Sequence, residues 1–421
     1  MRCAAHTLGC KLNFAETSHL LRELAARGHQ IVDFDDEADI YIINTCTVTA
    51  VAEKKCRTAI RQAVRRNAGA QVAVIGCFAQ NASDAISRIP GVTMILGNDR
   101  KHLLPDLIEA HGTNSEPEPS SLFPLAYSSG DRTRSFLKIQ DGCDYFCTYC
   151  AIPFARGRSR SATCEQVLQA AREIEQQGIR EVVLTGVNTG TFGQQQGGSL
   201  MELIRRLDTE THIPRYRISS IEPNLLTDEI IDFVANSRAF LPHFHLPLQA
   251  GSDKLLKLMH RRYDTELYRA RLEAIRSRLP DACIAADIMA GFNGEDEAEF
   301  EQVCRYVESL PLSYLHVFTY SNRPNTAALR LPESIDMAVR RQHSQTLQQL
   351  SNHKRQAFYQ SQLGKQRPVL WESTRQPDGT MQGWTDNYIR VCRDYEPSHV
   401  GTITTETLEE STIVYNFPVE S

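Results

Sequence analysis

From residue 2 to about 112, short apolar runs alternate with stretches of helical period. QIVDF, DIYIINT, QVAVIG and VTMILG read as strands. Between them, Ser18–Arg27 sets Leu20, Leu21 and Leu24 on one face, and Val51–Arg66 has the same helical character. Apolar strand runs parted by amphipathic helices predict an open parallel α/β sheet with crossover helices. Residues 113–133, rich in Ser, Pro, Gly and Thr, read as a linker. The alternation then resumes: RSFLKIQ, EVVLTG, YRISSIE, HFHLPLQ, CIAADIMAG and YLHVFTY are six successive strand patterns with helical stretches between. One such helix, about Glu165–Gln177, places Val167, Ala171 and Ile174 together, with Thr163 and Gln166 at capping-box spacing. Six βα units over about 190 residues predict a barrel or partial barrel. Residues 333–362 form a long polar helical stretch that Gly364 would end. The tail changes character. RPVLWES, NYIRVCR, VGTITTETL and STIVYNF, parted by turn residues such as Pro377–Gly379, predict a small all-β barrel. The expected division is 1–112, a linker 113–133, 134–363 and 364–421.

Length and composition agree. A chain of 421 residues suits two or three domains, and 41% apolar with 23% charged residues supports sizeable cores. A formal net charge of −5 argues against a sequence-independent nucleic-acid coat and leaves room for a local basic patch. The start lacks the apolar core of a signal peptide, and no run of roughly 18 apolar residues occurs, so a cytoplasmic, membrane-free monomer is expected. In a reducing cytosol, clustered cysteines are metal ligands or catalytic groups more often than cross-links.

The 12 cysteines are not evenly spread. Cys143, Cys147 and Cys150 share a loop directly after the first strand of the second region, at gaps that let three thiolates turn toward one point. Soft thiolates suit an iron–sulfur cluster or zinc. Zinc usually takes four ligands, and no nearby Cys or His completes the set. Cys10, Cys46 and Cys77 each follow a strand of the first region, in TLGC, INTC and IGC. The carboxyl ends of an open parallel sheet line one crevice, so these three can converge on a ligand, with Gly9 and Gly76 permitting close backbone approach. Ordinary buried thiols are the competing reading. The remaining six read as core or surface residues, Cys56 least clearly.

The string DGCDYFCTYC, Asp141–Cys150, resembles the cluster loop of radical S-adenosylmethionine enzymes, and its continuation AIPFARGRSRS is similar to their methylthiotransferase branch. TLGCKLN, INTCTVT and GCFAQ resemble that branch's amino-terminal domain. LTGVNTG, SSIEP, HLPLQAGSD, LMHRRY, DIMAGFNGE and HVFTYSNRP resemble its radical domain, and the β-rich tail its TRAM domain. The resemblance spans nearly the whole chain. NTCTVT and HVFTYSNRP are most similar to the bacterial group acting on threonylcarbamoyladenosine in tRNA. Asn293 stands where the family usually has proline, and Ala250 where it usually has serine.

The resemblance implies that Cys143, Cys147 and Cys150 hold a four-iron cluster that binds S-adenosylmethionine, and that Cys10, Cys46 and Cys77 hold an auxiliary four-iron cluster. One S-adenosylmethionine would methylate a sulfur on the auxiliary cluster, and another would give the radical that opens C2 of the adenine. Electron donor and sulfur source are implied and unnamed. At the carboxyl ends of the barrel strands, where such barrels place their sites, Asn188 after Gly186, Glu222, Gln249 and Asp287 are candidates for the methionine and ribose of the cofactor, and Gly291 for its adenine. Arg156, Arg158 and Arg160 form a basic run suited to RNA phosphate. Arg340, Arg341, Lys354 and Arg355 are weaker candidates. Trp371, Trp384 and Tyr388 either stack on bases or fill the small barrel, with Trp371 assigned to the core. Competing substrates are isopentenyladenosine in tRNA and a ribosomal-protein aspartate. A zinc protein that binds RNA without catalysis is the alternative of another class.

Overall fold

The computed structural model describes residues 1–110, 123–130, 133–331 and 334–415. Most of the expected linker lies outside the described residues. Strands β1 (Arg2–Thr7), β2 (Gln30–Val32), β3 (Ile40–Thr45), β4 (Gln71–Gly76) and β5 (Met94–Leu96) form one parallel sheet in the order β2-β1-β3-β4-β5. This is a doubly wound order, and it reverses between β1 and β3, where a ligand crevice opens.

Helix α1 (Lys11–Ala26) begins immediately after Cys10, well before the expected Ser18. Leu20 and Leu24 pack on the sheet. The earlier turns bury Asn13 and Glu16 against Arg156 of the central region and Thr17 against Asn44 of β3, so their polarity hides the helical period. Helix α2 (Ala50–Arg66) covers the other face with Cys56, Ala59, Ile60 and Ala63. Thr49 caps it by accepting from the Ala52 N–H at 3.1 Å, a contact that contributes about 1 kcal/mol.

The central region builds β6 (Ala126–Tyr127), β7 (Arg134–Lys138), the short pair β8 (Gln140–Asp141) and β9 (Arg160–Ser161), then β10 (Glu181–Thr185), β11 (Arg215–Ile218), β12 (His243–His245), β13 (Cys283–Ala290) and β14 (Tyr314–Thr319). One sheet runs β11-β10-β7-β6 with only β6 antiparallel, and a second runs β12-β13-β14. Parallel bridges Tyr216–Phe240 and Ser220–His245 join them into a six-strand open barrel. The expected six strands are all present. Outward-facing Leu137, Val182, Leu184, Ile284, Ala286 and Ile288 pack under the helices. The lumen-facing Phe136 and Val183 receive Phe14 and Ala15 of α1, so the amino-terminal sheet plugs into the barrel. The capping box at Thr163 and Gln166 forms as expected.

The long helix Met337–Gln360 leads into the tail. There β15 (Gln366–Arg375), β16 (Thr380–Thr385), β17 (Arg390–Asp394) and β18 (Ile403–Thr407) make an antiparallel curled sheet in the order β17-β16-β15-β18. β16 was not among the expected strands. STIVYNF, expected as a strand, contributes only a bridge from Ile413 to Val391, and its last residues lie outside the described ones. Trp371 is buried in this core and donates from Nε1 to Thr404 Oγ1 at 2.7 Å.

Candidate active site

Cys10, Cys46 and Cys77 lie at the carboxyl ends of β1, β3 and β4, neighbours in the sheet. Burial pushes the Cys46 thiol up to about 12, and Cys10 and Cys77 are close enough to act on it in the same direction. Gly9, at φ +99°, is what lets the first two meet: a Cβ there would stand 2.8 Å from Cys46 Cβ and 3.0 Å from its Sγ. Asn98 Nδ2 donates to Cys77 Sγ at 3.4 Å. Cys56 lies beside this set, its Sγ accepting from the Cys46 N–H at 3.4 Å.

Cys143, Cys147 and Cys150 hang on the loop between β8 and β9. Burial raises Cys143 to about 11 and Cys150 to about 12, and Cys147 acts on both in the same direction. The Tyr145 N–H donates to Cys143 Sγ at 3.4 Å, and Arg261 Nη1 donates to Cys147 Sγ at 3.1 Å. Arg261 also pairs with Glu222. Arg261 lies within LMHRRY, where nothing local marks it as a partner of Cys147. Donors aimed at sulfur favour the thiolate form that binds iron, and none of the twelve cysteines forms a disulfide.

A buried charge network ties the two sets together. Asn98 Oδ1 accepts from Lys101 Nζ at 2.6 Å, and Lys101 pairs with Glu16 of α1. Glu16 Oε1 accepts from Lys138 Nζ at 2.7 Å, and Lys138 lies 2.8 Å from Asp141 Oδ2. Asp141 Oδ1 accepts from the Gly142 N–H at 2.9 Å, next to Cys143. Arg156 spans the middle, 2.8 Å from Asp141, 3.3 Å from Glu16 and 2.6 Å from Asn13 Oδ1. A continuous hydrogen-bonded chain thus runs from Cys77 Sγ to the backbone beside Cys143.

That network corrects one expectation. Arg156 has a side chain only 1% exposed and is not available to RNA phosphate. Arg158, 76% exposed, and Arg160, 37%, do face solvent. Arg340 is likewise buried, donating to Asn293 Oδ1 at 3.2 Å. Asn293 in turn donates to the Ala328 carbonyl at 3.0 Å, which gives this departure from the family pattern a packing role.

The cofactor candidates separate. Asn188 is buried, with its side chain beside the Tyr145 hydroxyl. Gly186 packs against Gln140, whose Oε1 accepts from the Asn188 N–H at 2.9 Å. Glu222 and Gln249 stand past the ends of β11 and β12, with Gln249 at φ +64°. Two depart from expectation. Asp287 is interior to β13, its Oδ1 2.8 Å from His245 Nε2. Gly291, at φ +75°, is closed over by the Arg340 side chain rather than left open for an adenine. Trp384 and Tyr388 stack on each other at 4.5 Å, with the Tyr388 ring 4.6 Å from His243 of the barrel.

A six-strand open barrel with three convergent thiols on the loop after its first strand defines the radical S-adenosylmethionine class. Comparisons with known proteins agree. Residues 137–307 match the radical SAM superfamily and residues 2–97 the group described as uncharacterized protein family UPF0004. The solved radical S-adenosylmethionine methyltransferase TsrM from Kitasatospora setae superposes with a TM-score of 0.56 at 15% identity, over 75% of this chain and 72% of that one. The threonylcarbamoyladenosine tRNA methylthiotransferase MtaB of Bacillus subtilis is 34% identical over 98% of this chain and 95% of its own. Its Thermotoga maritima counterpart is 34% identical over 91% and 89%. The tRNA-2-methylthio-N(6)-dimethylallyladenosine synthase of Syntrophotalea carbinolica is 31% identical over 94% of each. The chain belongs to the radical S-adenosylmethionine methylthiotransferase family. Membership implies an enzyme that uses S-adenosylmethionine and a four-iron cluster, and the zinc-protein reading falls away. No helix among the described residues is long and apolar enough to cross a membrane.

Proposed function

We infer that the protein installs a methylthio group at C2 of threonylcarbamoyladenosine next to the anticodon of tRNA. The observation that carries this reading is the pair of three-cysteine sets on separate sheets, joined by one buried network. The substrate follows the two 34% identical relatives rather than the 31% identical dimethylallyladenosine synthase.

In this reading Cys143, Cys147 and Cys150 hold the radical cluster, and Cys10, Cys46 and Cys77 hold an auxiliary four-iron cluster. Once bound, these groups and S-adenosylmethionine supply a carbon radical and a sulfur to be transferred. The chain's own residues do the rest. The buried Asn188 amide and Glu222, held by Arg261, take polar parts of S-adenosylmethionine, with Gly186 and Gln249 beside them. Arg261 fixes Cys147 through its hydrogen bond. The network from Asn98 to Asp141 fixes the spacing of the two sets, so that one bound base can be reached from both. Arg158 and Arg160, with the exposed Val48, Val51, Phe146 and Phe154 on the cysteine-bearing segments, offer phosphate contacts and apolar surface to RNA. The domain reading is 1–112 for the auxiliary site, 134–363 for the radical site and 364–421 for a TRAM-like unit. The reading places the protein in the cytoplasm with tRNA, and requires an electron donor and a sulfur source.

Nucleoside mass spectrometry of tRNA from a deletion strain tests the substrate. The methylthio form of threonylcarbamoyladenosine is expected to vanish and to return on complementation, while the unmodified parent accumulates. Its persistence, or loss of methylthiolated isopentenyladenosine instead, would overturn the assignment.

A further inference from the structure

The barrel lumen holds a polar set that the cysteine sites do not use. Residues paired across neighbouring parallel strands share a face. The register sets Asp287 of β13 beside His316 of β14, and Ala285 beside His245 of β12. Asp287 alternates with Ala286 and Ile288, which face the helices, so His245, Asp287 and His316 all face the lumen. One side-chain ligand atom from each lies within 4.8 Å of those of the other two. The two imidazole rings are 5.3 Å apart. All three residues are half-buried. Below them the lumen is closed by His243, Tyr388 and Trp384, with the Arg217 guanidinium 4.8 Å from the Tyr388 ring centre.

Lys11 completes the set from the amino-terminal sheet. It opens α1, three and four residues before Phe14 and Ala15, which pack on the lumen-facing Phe136 and Val183. Positions i, i+3 and i+4 share a helix face, so the Lys11 side chain is directed to the lumen mouth beside Cys10. Its charge is felt at His243, Asp287 and Tyr388. Burial would raise the Asp287 carboxyl, but His245, His316 and Lys11 hold it below its usual range. Lys11 is exposed, and no carboxylate pairs with it among the described residues.

Above the Arg217–Glu181 pair at its floor, the chamber presents one ammonium and a group of imidazoles against one carboxylate among the described residues, Asp287, already engaged by His245. Two imidazoles and a carboxylate also suit a divalent cation, but the Lys11 charge opposes a further cation there. An anionic acceptor fits. We propose that Lys11, His245 and His316 form the subsite for the carboxylate of the threonylcarbamoyl group, with Asp287 positioning His245. The inference rests on the substrate reading above and adds how the protein tells this adenosine from one bearing a dimethylallyl group, which has neither charge nor acceptor.

The test uses two anticodon stem-loop RNAs, one carrying threonylcarbamoyladenosine and one carrying its methyl ester, with the full chain reconstituted anaerobically. Loss of a charge-assisted contact predicts a kcat/KM for the acid roughly tenfold or more above that for the ester, carried by KM, with a matching gap in Kd. His316→Leu and Lys11→Met are expected to lose that gap at wild-type iron content. Because Lys11 adjoins Cys10, His316→Leu alone decides if Lys11→Met loses iron. A wild type that converts neither RNA overturns the substrate reading itself. A wild type that treats acid and ester alike, or an iron-replete His316→Leu that keeps the gap, overturns the subsite and leaves the substrate reading standing.

Discussion

Glu16→Gln is expected to lower the stability of the iron-free protein by about 3–5 kcal/mol, the usual cost of removing one partner from a buried ionic group. Glu16 is the carboxylate that Lys101, Lys138 and Arg156 share. Without it, three buried cations would have only Asp141 to compensate them. Burial alone would raise both carboxyls, but Arg156 and the two lysines outweigh it and hold Glu16 and Asp141 well below the usual carboxylate range. The sign follows. A depressed carboxyl contributes stability that is present above its unfolded value, near pH 4, and lost only as pH falls through the folded one. The network is therefore expected to survive mild acid, and the gap between wild type and Glu16→Gln to persist from pH 7 to pH 5. Urea denaturation followed by circular dichroism reads it. Arg158→Gln, removing an exposed pair, is the control and is expected to change stability by under about 0.5 kcal/mol. Equal midpoints for Glu16→Gln and wild type would remove the network from the account.

The second large effect separates the two cysteine sets. Cys143→Ala is expected to reduce S-adenosylmethionine cleavage to background, because two thiolates remain where three are needed to leave one iron open to the cofactor. Cys46→Ala is expected to retain cleavage and lose methylthio transfer. Counting 5′-deoxyadenosine and methylthiolated nucleoside for both variants distinguishes the roles. Identical behaviour would mean that the sets do not act as two sites.

What the sequence made legible follows from the range of the forces involved. The six barrel strands carry apolar runs that announce themselves locally, and Cys143, Cys147 and Cys150 lie within one loop. Cys10, Cys46 and Cys77 were readable because a parallel sheet gathers its strand ends, whatever their separation along the chain. The failures are contacts between distant segments. Arg156 looks like part of a solvated basic run until Glu16 and Asn13, on α1 of the amino-terminal region, bury it. The first turns of α1 look polar because Asn13, Glu16 and Thr17 are buried by partners rather than by apolarity. β16 passed unnoticed because Met381, Gly383 and Thr385 supply its buried face, with only one large apolar side chain among them. Asp287 is no strand-end residue: CIAADIMAG already carries the strand past it to Ala290, and the structure keeps that length. Lys11, beside a cysteine that drew attention first, shows its direction only once Phe14 and Ala15 are seen to enter the barrel.

In the proposed function, one chain holds two iron–sulfur sites serving one base. Iron and acid-labile sulfide content, with an absorption spectrum, on anaerobically purified protein decides this. About eight irons per chain are expected, from two four-iron clusters each on three thiolates, falling to about four in Cys46→Ala. About four irons in the wild type, unchanged in Cys46→Ala, would mean that the amino-terminal cysteines hold no cluster.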